Sequence, residues 1–329
     1  MRYHVETPDC DPGAEDENET LIPMDDDRMS ENGKANALTQ ATPEKAYGIA
    51  TIANDKVYDW LLPFLESWAV TNRATPLYVI PYDDNCAKTR AACEIYGAHF
   101  VEPDHKALDA LAKRLYPLFP NHRRRLRKFL SLALPLDEVI YVDVDIVLVR
   151  DMSVFFGKLR PGEVDFIIAS PVQTYVYNKK RPNYPFLKDV TCFNDGFFVT
   201  ANSILSLDDI YDVIDKDEAI FHAVRQRGML FAQPLTNFVT HYKGLKILPI
   251  PGVLDNGSSE SFYKAEGVTF DAQGWPLDQF GKDIYFVHWA GATSLPKKRV
   301  FDDLWLKFTA AAVARLELAK AKIPSRAQA

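Results

Sequence analysis

The sequence predicts an α/β fold in which a central, mostly parallel sheet is flanked by helices. Two observations predict it. Apolar, β-branched runs alternate with helically spaced runs from residue 46 to about residue 103, the pattern of a parallel sheet built by right-handed crossovers. The composition, 47% hydrophobic and 25% charged over 329 residues, suits one large globular domain or two modest ones. No run approaches the roughly 20 apolar residues of a membrane-spanning helix, and the first 45 residues lack a secretory pattern, so the chain reads as cytoplasmic. Cys10, Cys86, Cys93 and Cys192 share no C-x-x-C spacing, so the sequence suggests neither a structural zinc site nor a disulfide framework, and the thiols read as reduced.

Residues 1–45 hold 12 acidic and 4 basic side chains, a net charge of -8, and few large apolar groups. They cannot bury enough surface to offset the entropy of ordering, so they read as an acidic disordered tail. The run Asp25 to Asp27 reads as solvated linker rather than a cation site. The remainder carries +1, and nothing in its charge marks a nucleic-acid partner. The folded part, 46–310, opens with a buried strand in AYGIATIAND. A helix over DWLLPFLESWAVTN, a strand in PLYVIPYDDN, a helix over KTRAACEIYG and a strand in AHFVEP follow. Lys106 to Leu134 has a helical pattern with a basic centre: Arg123, Arg124, Arg125, Arg127 and Lys128. Then come β-rich DEVIYVDVDIVLVRDMS, VDFIIASP and CFNDGFFVT, a helical 208–228 stretch, a Pro/Gly-rich loop near 249–257 and the late strand DIYFVHWAGA. Residues 311–329 read as a C-terminal surface helix and tail.

The most informative feature is Asp143 and Asp145 inside Tyr141 to Val149. On one strand, residues i and i+2 share a face, so the two carboxylates lie about 6 to 7 Å apart while Val142 and Val144 point the other way. Two like charges in an apolar strand need compensation, and hard oxygen ligands suit Mg²⁺ or Mn²⁺. A plainer reading puts both acids at a strand's wet end.

These residues also carry a resemblance. RKFLSLALPLDEVIYVDVDIVLVRDM resembles the D-x-D region of glycosyltransferase family 8, which has the GT-A fold and includes glycogenin and bacterial lipopolysaccharide galactosyltransferases. ATIANDKVYDWLLPFLESW resembles the family's first strand and helix, CFNDGFFV its F-N-S-G segment and VHWAG its late H-x-x-G, in the same order over residues 46 to 295. The resemblance implies that Asp143, Asp145 and His288 hold Mn²⁺ or Mg²⁺, with His241, in HYKGLK, as a rival imidazole that comes too early in the order. It implies that Ala53, Asp55 and Tyr58 form the base pocket, with a core aromatic as the other reading of Tyr58. Asp83 and Asp84 read as an acidic turn. Arg127 and Lys297 are implied to meet the donor's diphosphate or sugar, and Val144, Asn194 and Gly291 to shape the donor's walls. FAQPLTN resembles D-Q-D-x-L-N, which makes Gln233 a candidate catalytic residue near the anomeric carbon but replaces the preceding acid with Ala232. Asp195 stands where the family has serine, as a candidate catalytic or sugar-recognising acid, and Lys297 lies beyond the family's lysine position, which is Ser294 here.

The implied activity is metal-dependent transfer of a sugar from a nucleotide-diphosphate sugar, UDP-linked before GDP-linked, to a carbohydrate or glycolipid acceptor, with retention. A sugar nucleotidyltransferase would want a Gly-rich phosphate loop after the first strand, and TIANDKVYDW has none. A catalytically silent carbohydrate-binding or scaffold protein is the third reading, against which the Asp, Asp, His set speaks. The 175–188 segment, with Tyr175, Tyr177, Lys179, Lys180, Arg181 and Tyr184, suits sugars, an anionic membrane surface at the inner face or a plain surface loop alike.

Overall fold

Side chains alternate along β1 (Tyr47–Ala53), so Ile49 and Ala53 face one helical layer while Ala50 and Ile52 face the other, and all four are buried. Burial on both faces is what a continuous apolar run requires. The protein is seen in a computed structural model that describes residues 45–117, 123–172, 176–177, 184–216, 232–292, 295 and 299–321. Nearly all of the acidic segment, part of the basic and aromatic 175–188 loop, residues 217–228 of the helical 208–228 stretch, and Ser294 and Lys297 lie outside the described residues.

The strands β2 (Leu77–Pro81), β3 (His99–Phe100), β4 (Glu138–Val142), β6 (Phe166–Ile168), β7 (Phe197–Ala201) and β8 (Ile247–Pro249) join β1 in one sheet. Its order is β3-β2-β1-β4-β7-β6-β8. Every neighbouring pair is parallel except those made by β7, which runs antiparallel to both β4 and β6. One face carries α1 (Tyr58–Thr71), α2 (Ala87–Tyr96) and α6 (Asp302–Ala321), and the other carries α3 (Lys106–Leu115), a 3₁₀ segment (Arg124–Ala133), α4 (Leu207–Lys216) and α5 (Ala232–Tyr242). Gly97 ends α2 in the left-handed region at φ 69°, where a side chain would be strained. A hairpin of β9 (Thr269–Phe270) and β10 (Pro276–Leu277) lies apart from the main sheet.

The long strand expected over Tyr141 to Val149 is two strands. β4 stops at Val142, residues 143–145 form a turn, and β5 (Ile146–Leu148) leaves the main sheet to pair antiparallel with β11 (Phe286–His288). The acids themselves cause the break, because carboxylates at 143 and 145 cannot continue into an apolar layer without charge compensation. Their shared location comes from the turn, not from strand alternation, so the plainer reading of a wet strand end holds as geometry.

The boundary set between residues 310 and 311 falls inside α6, whose Ala312 and Leu316 are buried against α1 and α2. The helix is fastened by Arg315, which donates from Nε and Nη2 to the buried Glu66 of α1 at 2.7 and 2.8 Å. Tyr96 of α2 donates its hydroxyl to the same carboxylate at 2.6 Å. Arg315 above all, with Tyr96, holds the Glu66 carboxyl below its ordinary value against burial. No helix among the described residues is long and apolar enough to cross a membrane.

Replacing Arg315 with Met leaves Glu66 with one donor and is expected to cost about 1 to 2 kcal/mol, since Arg315 is partly solvated. A depressed carboxyl pKa gives stability that is present above the unfolded value and lost as pH falls through the folded one. Thermal melts from pH 7 to pH 3 should therefore show wild type and Arg315→Met converging at the acid end; a constant gap would overturn this account of the clamp.

Candidate active site

Parallel strands end together, and here β1 and β4 end beside each other while β2 and β7 flank them on opposite sides. Ala53 and Asn54 close β1, and Asp143 follows β4. Because β7 is antiparallel, its first residues lie at the same edge: Val142 pairs with Phe197, and Asp143 N–H donates to Gly196 carbonyl at 2.7 Å. Gly196 is required by crowding. A Cβ there would lie 2.8 Å from Asn194 Oδ1 and 2.9 Å from Asp143 Oδ2, and would collide with the His288 ring.

β5 completes the set. Its pairing with β11 puts His288 opposite Ile146, and Trp289 N–H donates to Asp145 carbonyl at 3.0 Å. His288 Nε2 stands 3.2 Å from Asp145 Oδ1, and one donor atom from each of Asp143, Asp145 and His288 lies within 4.8 Å of the others. A six-coordinate ion with ligands at about 2.1 Å spaces its donors roughly 3 to 4.2 Å apart, so the three fit Mg²⁺ or Mn²⁺ with little closure. Burial raises the Asp143 carboxyl and Asp145 adds to this, against Lys128. At Asp145, burial is outweighed by His288, which holds the carboxyl low; His288 is pushed up in return, Asp145 overcoming the burial of its ring.

These groups open onto a cavity of about 700 Å³. Ala53, Val144, Asn194, Asp195, Gln233 and Gly291 all line it. Val144, in the turn, lines the cavity and also packs against the layer that holds Val142. Gly291 has φ 70°, which allows the chain to turn after the strand. His241 is not among the lining residues; it lies in the last turn of α5, whose first turn supplies Ala232, Gln233 and Pro234 to the wall.

Three expected residues do not line the cavity. Asp55 caps α2, accepting from the backbone N–H of Lys88 and Thr89 at 3.1 and 2.9 Å and from the Thr89 hydroxyl at 3.0 Å. Those donors hold its carboxyl low against burial. Tyr58 packs half-buried in the layer of α1, α2 and α6, where burial raises its phenol. Arg127 is buried and engaged elsewhere: Nε and Nη2 donate to Asp109 at 3.2 and 2.7 Å, and Nη1 to Pro81 carbonyl at 3.2 Å.

In their place come Trp60, which the sequence reading passed over, and two members of the basic centre other than Arg127. Trp60, one helical turn after Val57, lines the cavity beside Lys56 and is held edge-on by Trp305 of α6, with ring centroids 5.8 Å apart. Arg125 and Lys128 line the cavity as well. The 3₁₀ conformation explains the exchange: residues three apart are superposed along such a segment, so Arg125 and Lys128 share one face while Arg124 and Arg127 share another. Arg124 accordingly meets Asp83 at 3.2 Å, next to the Pro81 carbonyl that Arg127 holds. Lys128 is buried, with Nζ 2.9 Å from Asp195 Oδ1 and 3.4 Å from Asp143 Oδ1. Asp195 Oδ2 accepts from the Thr236 hydroxyl at 2.9 Å. The paired carboxylates raise the Lys128 ammonium above its ordinary value despite burial.

No protein-family profile and no curated protein sequence matches the chain. Solved structures do. The apo glycosyltransferase GlyE of Streptococcus pneumoniae TIGR4 aligns over 87% of this chain and 66% of its own at 11% identity, with a TM-score of 0.46. The galactosyltransferase LgtC, solved with donor and acceptor sugar analogs, aligns over 80% of this chain and 95% of its own at 12% identity and a TM-score of 0.51. The apo bifunctional glycosyltransferase WbbM aligns over 84% of this chain and 52% of its own at 11% identity and a TM-score of 0.54. The chain thus spans just under two thirds of GlyE and about half of WbbM. With the sheet order and the reversed β7, the likeness to LgtC and WbbM shows that the chain has the GT-A fold of glycosyltransferases.

Proposed function

We propose that the protein is a metal-dependent glycosyltransferase that moves a sugar from a nucleotide-diphosphate sugar, UDP-linked before GDP-linked, to a carbohydrate or glycolipid hydroxyl. The observation that carries this reading is the convergence of Asp143, Asp145 and His288 beside the 700 Å³ cavity at the strand ends. A bound Mn²⁺ or Mg²⁺ would supply charge for the departing diphosphate. Arg125 adds a cation on the same wall, and Lys297, outside the described residues, remains a candidate for the phosphates. Gln233 and Asn194 border the space for the sugar.

The environment of Asp195 supports retention without an enzyme nucleophile. Its two oxygens are engaged by Lys128 at 2.9 Å and Thr236 at 2.9 Å, which leaves it suited to accept a hydroxyl from a sugar and ill suited to attack carbon or to serve as a base. Front-face substitution, with the acceptor's proton passing to the leaving phosphate, fits that wall. In the nucleobase pocket Trp60 takes the platform role implied for Tyr58, with Ala53 and Val57 beside it.

Hydrolysis of UDP-glucose, UDP-galactose and GDP-mannose, assayed with Mn²⁺ and with EDTA, tests the activity. At least one donor should be turned over only with the ion, and Asp145→Asn should lower that rate by about 100-fold or more. Turnover indifferent to both EDTA and Asp145→Asn would defeat the proposal. Product NMR should show the donor's anomeric configuration retained; an inverted anomer removes the front-face route.

Titration of UDP, followed by tryptophan fluorescence in wild type and by calorimetry in the variants, tests the platform. Trp60→Ala should weaken binding by about 5- to 100-fold, the range of a lost base-aromatic stack. Tyr58→Ala should lower the melting temperature and leave UDP affinity nearly unchanged. The reverse pattern would return the platform to Tyr58.

A further inference from the structure

We infer that Lys128 is a positioning residue that competes with the divalent cation for Asp143, so that its ion pair with Asp195 sets how tightly the metal cluster binds. The inference rests on the proposed metal site and adds a residue that site does not contain. Lys128 Nζ has three oxygens in reach: Asp195 Oδ1 at 2.9 Å, the Asp195 carbonyl at 3.2 Å and Asp143 Oδ1 at 3.4 Å. The ammonium also stands 4.9 Å from the centre of the Tyr141 ring, and Tyr141 donates its hydroxyl to the same Asp143 oxygen at 2.8 Å. One carboxylate oxygen of Asp143 therefore already has an ammonium, shared with Asp195, and a hydroxyl donor beside it before any metal is considered.

Three carboxylates, Asp143, Asp145 and Asp195, surround a single buried lysine and His288. An ion entering beside Asp143 meets a fixed ammonium that shares the carboxylate, and like charges at this distance repel. The nearer bond to Asp195 decides how strongly Lys128 leans on Asp143. Thr236 holds the other Asp195 oxygen at 2.9 Å and so fixes where that bond points. A lysine that merely filled space would make no such link between the sugar wall and the metal ligands.

The test is Mn²⁺ binding to EDTA-stripped protein, read as loss of the free-ion EPR signal, together with melting temperature. Lys128→Met/Asp195→Asn removes one charge of each sign, so the site's net charge is unchanged and only the competitor at Asp143 is lost. It should bind Mn²⁺ more tightly, by about tenfold. Asp195→Asn alone frees Lys128 to turn toward Asp143 and should weaken Mn²⁺ binding, which keeps the inference testable if the double variant folds poorly. Opposite signs in the two variants support the inference; shifts of the same sign, or no shift in either, overturn it. Failure of the wild-type protein to bind Mn²⁺ at all would instead strike at the metal-dependent activity.

Discussion

Charge compensation at the end of an apolar sheet is the constraint on which the rest depends. β4 is buried along its whole length up to Val142, and the next position carries a carboxylate. Ending the strand there moves Asp143 and Asp145 to the rim, and the chain then joins a second, two-stranded sheet whose other member delivers His288. Lys128 arrives from the 3₁₀ segment and Asp195 from just before the reversed strand, so the cluster is made by four separate stretches of chain. No single element would tolerate this charge density. Together they hold it because each carboxylate meets a cation or a hydroxyl donor at hydrogen-bond distance.

The same arrangement explains the absence of side chain at Gly196. The reversal of β7 lets its backbone approach Asp143 directly, carbonyl to N–H at 2.7 Å, and a methyl group would meet the side chains of His288, Asn194 and Asp143. A parallel strand in that position would bring its carboxyl end to the rim instead. The topology and the chemistry are thus linked through one residue.

Much of this was legible in the sequence, because it depends on periods and order. Alternating strands and helices gave the α/β class, and Asp143, Asp145 and His288 stood out by residue type and position. What failed depended on phase. Tyr58 and Trp60 are two residues apart near the start of a helix, about 200° around its axis, so Tyr58 packs into the helical layer while Trp60 lines the cavity. Arg127 and Lys128 are neighbours, and their exchange follows from a segment with 3.0 residues per turn, which a helical period of 3.6 does not reveal. Asp55 was misjudged for a different reason: an acid after a strand also caps a following helix, and Thr89 and Lys88 supply the N–H groups only once α2 is placed.

The C-terminal helix shows how far the site's support extends. α6 touches no candidate ligand, yet Trp305 orients Trp60 on the cavity wall and Arg315 fixes Glu66 in α1, the helix that carries Trp60. Both contacts act on the same element from the same side. Loss of either would loosen α1 where it leaves β1, and that is where Asn54, Lys56 and Val57 form the wall. A helix that begins more than a dozen residues after His288 therefore belongs to the site in a physical sense, because it supports the α1 side of the cavity wall.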